Sequence, residues 1–115
     1  MKQDKLSERY NNVAIECAEK LASFVCQKLV EGGVYREVKF IREYDRLDIV
    51  YAEGVELHKF AFIAIDSIKP VRGTLIDVEF YFGLYEEGYE NPAVDKCMNS
   101  AFKEYCNAKM KKVED

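Results

Sequence analysis

A single histidine, no tryptophan and two prolines in 115 residues are the first things the chain lacks. With one imidazole, His58, no histidine pair can share a metal, and a Ser or Cys nucleophile has no second-residue base to activate it. His58 therefore reads as a strand or hairpin-flank residue, and no metal or cofactor is expected. Neither G-x-G-x-x-G nor G-x-x-x-x-G-K-[ST] occurs, so no phosphate cradle is encoded. An excess of positive charge is also absent. Seventeen Lys and Arg face 21 Asp and Glu, for a formal charge of −4, which argues against a general nucleic-acid binder. Six glycines and two prolines exclude collagenous or low-complexity character. The apolar stretch Phe60 to Ile65 falls far short of the roughly 20 residues that span a membrane. Met1-Lys2-Gln3-Asp4-Lys5 has no apolar run of a signal peptide, so a cytoplasmic protein is expected.

What is present is a hydrophobic fraction of 49% with 13% aromatic residues. A chain of this size should bury roughly two-thirds of its unfolded surface, and one domain over residues 1–115 is expected. Four cysteines do not form a redox or zinc spacing. Cys17 and Cys26 lie nine apart in one helical segment, as do Cys97 and Cys106 in another. Nine steps of about 100° bring each pair to opposite sides of its helix. Free thiols of a reducing compartment follow, with one inter-helix disulfide as the alternative.

Leu6 to Glu31 reads as one long helix. Leu6, Tyr10, Val13, Ala14, Cys17, Ala18, Leu21, Phe24, Val25 and Leu29 fill an arc of about 200°, wider than the stripe of a helix lying on one surface. It should be covered on two sides, by a sheet and by a second helix or a partner. Gly32-Gly33 ends it. Val34 to Glu43 and Leu47 to Ala52 read as strands joined around Tyr44-Asp45-Arg46. Glu53-Gly54 is a hairpin turn into Val55 to Asp66. There Leu57, Phe60, Ala61, Ala64, Ile65 and Ile68 also fit a helical period, but the Phe and Ile density favours a strand. Lys69-Pro70 should end it. Thr74 to Tyr85 is the clearest strand, with Ile76, Val78, Phe80, Phe82 and Leu84 inward and Asp77, Glu79, Tyr81 and Tyr85 outward. Asn91-Pro92 opens a last helix with the stripe Val94, Cys97, Met98, Ala101, Phe102, Tyr105, and Lys109, Lys111 and Lys112 suit its terminal dipole. The expected fold is α+β in two layers. A long N-terminal helix and a C-terminal helix share one face of a four-stranded, mostly antiparallel sheet, in the order α-β-β-β-β-α.

Two carboxylate patterns invite chemistry. Asp77-Val78-Glu79 puts two acids on one strand face, where a solvated outer surface is the simpler reading. The stretch Arg46 to Ile68 resembles the part of Holliday-junction-resolvase-like, restriction-endonuclease-like proteins in which an acid precedes a hairpin and a hydrophobic strand. Asp48 matches that acid, and Glu16 matches the helix glutamate. The resemblance implies a metal-dependent nuclease domain with Glu16 and Asp48 as its catalytic residues. The family's Glu and Lys, two apart on the next strand, correspond here to Ala64 and Asp66. The Glu37-Val38-Lys39 triplet precedes Asp48 instead of following it, so the implied domain is a degenerate one.

The most informative surface is Phe80 to Glu90. Tyr81 and Tyr85 continue the outward row and Tyr89 follows in an acidic loop with Glu86 and Glu87. Tyrosine supplies contact area and a hydrogen bond at low entropic cost, and the acids would steer a basic patch. The expectation is a small, non-catalytic protein-interaction module whose interface is Tyr81, Tyr85, Glu86, Glu87 and Tyr89. Its partner would be a protein, a second copy included. A small-ligand pocket between sheet and helices is a third reading, suggested by the Phe and Tyr content.

Overall fold

The computed structural model describes the backbone of residues 2–72 and 75–114 and the side chains of residues 11–72 and 76–106. The order is α1 (Lys2–Glu31), β1 (Val38–Arg42), β2 (Arg46–Glu53), β3 (Glu56–Arg72), β4 (Leu75–Leu84), α2 (Glu86–Tyr89) and α3 (Pro92–Glu114). The strands form one antiparallel meander in the order β1-β2-β3-β4. This is the α+β arrangement expected, with α2 as an added turn of helix. Residues Glu56 to Asp66 are strand, within β3, and Val55 belongs to the turn before it.

α1 ends in a Schellman pattern. Val34 N–H donates to Leu29 C=O and Gly33 N–H to Val30 C=O, with Gly33 at φ 72, a conformation that favours glycine. That cap holds Val34 against the helix end, so β1 starts at Val38 and not at Val34. At β2–β3, Glu53 pairs with Glu56 around Gly54 at φ 62, the glycine-first pattern of a two-residue hairpin. Asn91 caps α3, its Oδ1 accepting from Ala93 N–H at 3.2 Å, with proline at the first helical position.

The expectation that Lys69-Pro70 ends the element is corrected, because β3 runs through Pro70 to Arg72. Pairing with β2 stops at Ala64, and beyond it β3 is hydrogen-bonded to β4 alone. A proline lacking its N–H is tolerated on such a half-free strand, next to the irregularity between Pro70 and Arg72.

From Ala14 to Leu29 the wide apolar arc of α1 is covered on both sides, whereas Val13 is 41% exposed. Ala18, Leu21, Ala22, Val25 and Leu29 enter one core with Leu47 and Ile49 of β2, Phe60, Ala61 and Ile63 of β3, and Val94, Met98 and Ala101 of α3. Phe24 meets Tyr105 at 5.6 Å between ring centroids, and Lys28 Nζ lies 3.1 Å from Glu104. The side chains of Leu6, Tyr10, Lys109, Lys111 and Lys112, and all of Thr74, lie outside the described residues. Among the described residues no helix is long and apolar enough to cross a membrane. All four cysteines are free thiols, and burial pushes the Cys26 thiol up to about 12.

Candidate functional site

The helices cover one face of the sheet, and strand alternation then sends the residues between the core positions to the other face. Leu47 and Ile49 point to the helices, so Asp48 points away from them. Yet Asp48 is 0% exposed, the only buried charged side chain among the described residues. A buried carboxylate requires partners, because unpaired burial of charge is costly. Three side chains provide them. Tyr85 Oη donates to Asp48 Oδ1 at 2.6 Å. Arg46 Nε donates to the same oxygen at 3.1 Å and to Tyr85 Oη at 3.0 Å. Lys59 Nζ lies 3.1 Å from Oδ2, and this is an ion-pair contact without a formed hydrogen bond, leaving Oδ2 otherwise unpartnered. Lys59 also reaches Glu43 at 3.5 Å.

Each partner is placed by a local feature. Between Ile49–Ala61 and Val50–Lys59 the register shifts, making Phe60 an extra residue in β3. The bulge lets both Phe60 and Ala61 enter the core and turns Lys59 onto the Asp48 face. Tyr85 N–H donates to Phe60 C=O at 3.0 Å, which anchors the start of α2 to that bulge. Gly83 pairs with Phe62, and a Cβ at Gly83 would run into the Phe62 ring. Phe62 therefore rests on the glycine and leaves room for Tyr85 to reach over β3 towards β2.

Electrostatics follow from this geometry. Burial pushes the Asp48 carboxyl up, but its contacts with Tyr85, Lys59 and Arg46, with the Arg46 charge, outweigh it and hold the group below the usual carboxylate range. Arg46 is raised, first by its bond to Asp48. Tyr85 is raised by burial and then by Asp48. The cluster is a clamp tying β2, β3 and the end of β4 together.

Glu16 is not part of it. It is exposed on α1, which packs on the opposite face of the sheet, so the two acids of the nuclease resemblance are not brought together. Ala64 lies on β3 opposite Arg46, and Asp66 lies at the bulge between Ile65 and Ser67. Lys59 supplies a cation at Asp48, but the residue two positions before it is Leu57. No group of three His, Cys, Asp or Glu able to hold a metal occurs among the described residues. His58 stacks on Tyr51 at 5.0 Å, with Glu53, Glu56 and Glu87 within 3.4–3.6 Å of its nitrogens.

The five expected interface residues divide. Tyr81 is 48% exposed and Tyr89 74% exposed, and Glu86 is exposed as well. Tyr85 is half-buried in the clamp, and Glu87 turns to His58, 3.4 Å from Nδ1. Arg46, Phe62, Ala64, Tyr81 and Tyr85 line an open groove of about 510 Å³ on the helix-free face, with Phe62 against Tyr85 at 5.4 Å and edge-on to Tyr81 at 6.2 Å. The space between α1 and the sheet, around Ile15, Ala18, Leu47 and Ile63, is a cavity of about 20 Å³, which is room for one water and not for a metabolite. Comparisons with protein-family models, curated proteins and solved structures return no match for this chain.

Proposed function

We propose that the chain is a non-catalytic protein-interaction module that associates with a second copy through the helix-free face of its sheet. The observation that carries the reading is the aromatic groove of Phe62, Tyr81 and Tyr85, mounted on a clamp in which Asp48 is 0% exposed. Rigid aromatics beside an Arg are the side chains that dominate protein interfaces. The surrounding charge has both signs. Lys39, Arg46 and Lys59 alternate with Glu43, Asp45 and Glu79 near this face, and a two-fold contact requires a patch that can complement itself.

The clamp serves this role as a support. It fixes the rotamer of Tyr85 and the height of Arg46, so little side-chain entropy remains to be lost on docking. Light scattering tests the reading. The native chain should give at least twice its 13.4 kDa monomer mass at tens of micromolar, and Tyr81→Arg should return it to the monomer without loss of fold.

A further inference from the structure

The two edges of the sheet are unequal. β1 offers five residues carrying Lys39 and Arg42, a short edge with the charges that discourage pairing. β4 offers ten, Leu-Ile-Asp-Val-Glu-Phe-Tyr-Phe-Gly-Leu, with no Lys, Arg or Pro, and among the described residues it pairs only with β3. The bond from Tyr85 N–H to Phe60 C=O sets the alternation of the ladder. Tyr81 and Gly83 turn their backbone groups to β3, as does the Tyr85 N–H, and those of Phe80, Phe82 and Leu84 point outward from the free edge. That edge opens into a groove of about 410 Å³ whose lining includes Phe82, Leu84, Tyr89, Asp95, Asn99 and Phe102. One wall is therefore an unpaired strand and the other is α3, with Phe82 and Phe102 in contact at 5.0 Å forming an apolar floor.

We infer that this groove binds an extended segment of a partner protein as a fifth strand, with aliphatic side chains on the Phe82–Phe102 floor and basic side chains on the opposite face, beside Glu79 of β4. The backbone edge specifies the class of ligand, because outward N–H and C=O groups at every second residue are matched by another strand. Charge specifies its sign. From Leu75 to Asn91 the chain holds Asp77, Glu79, Glu86, Glu87 and Glu90 and no Lys or Arg, and Asp95 stands in the first turn of α3. A second β4 would bring acid against acid, so self-pairing at this edge is disfavoured. The inference rests on the reading of the chain as an interaction module, but its groove lies between the free edge of β4 and α3 and shares only Tyr81 with the self-association groove.

The test uses the full-length, isotope-labelled chain and two synthetic probes, Ac-Lys-Val-Lys-Val-Lys-Val-NH2 and its Glu-for-Lys counterpart. The basic peptide should bind and slow amide exchange at Phe82 and Leu84, leaving Tyr81 and Gly83, already bonded to β3, unchanged. Glu79→Gln, a surface change, should weaken it by up to about fivefold, the scale of one exposed ion pair. Absence of binding, equal binding of the acidic peptide, or protection of the Phe82 and Leu84 amides by self-pairing without peptide would each overturn the inference. A dimer that retains its mass but ignores the basic peptide would sink the strand site alone. A monomer that binds it would sink the self-association and leave the strand site in place.

Discussion

The Tyr85 hydroxyl donates to Asp48 Oδ1 at 2.6 Å across 37 positions of sequence, joining the end of β4 to β2 over the intervening strand. It closes over an outward-facing residue that, with Arg46 and Lys59 also against it, is fully buried on an uncovered sheet face. Tyr85→Phe keeps the ring on Phe62 and deletes the donor. Leaving a buried carboxylate short of a partner costs about 1–2 kcal/mol. Urea denaturation should show that loss with an unchanged m-value.

Acid sensitivity carries a sign that identifies the clamp. The Asp48 carboxyl is held below its ordinary value in the folded chain by Tyr85, Lys59 and Arg46, against the upward push of burial. A depressed folded value stabilises the fold above the unfolded value near ~3.9 and loses that contribution as pH falls through the lower folded value. Melting temperature should therefore fall more steeply below about pH 4 in the native chain than in Asp48→Asn. Parallel slopes would separate Asp48 from the acid response.

Two glycines should tolerate alanine unequally. A Cβ at Gly83 meets the Phe62 ring, whereas one at Gly88 meets the Phe60 carbonyl. A ring can swing and a strand backbone cannot. Gly83→Ala should cost about 1–3 kcal/mol, with Gly88→Ala above it and accompanied by loss of the α2 anchor. Thermal denaturation of the two variants orders them.

The thiols give a graded readout of the core. All four should titrate in denaturant without reductant, since none is in a disulfide. In the native chain Cys106, which is exposed, should react first. Cys26, buried and pushed up to about 12, should react last, because only the thiolate attacks.

Most of the architecture was legible in local patterns. Alternation in β4, the apolar arc of α1, Gly32-Gly33 and Asn91-Pro92 each identify an element through a local physical preference. Pro70 misleads because its neighbour restriction is real while its strand has one free side, a fact of topology and not of sequence. Asp48 could be singled out, but only through the acid-before-hairpin pattern. Its partners could not be found that way. Lys59 reaches it because of a one-residue bulge at Phe60, and Tyr85 because Gly83 lets Phe62 lie low. Tyr81 and Tyr85 share a period and a face, yet one is a surface group and the other a strut. α2 spans four residues, too few to leave a periodic signal.

The helix-free face is the centre of the account, and molar mass in solution tests it most directly. Light scattering on the native chain should report a mass of at least twice 13.4 kDa, and Tyr81→Arg should halve it while the melting temperature holds. A native mass of 13.4 kDa at high concentration, or an oligomer indifferent to Tyr81→Arg, would contradict it.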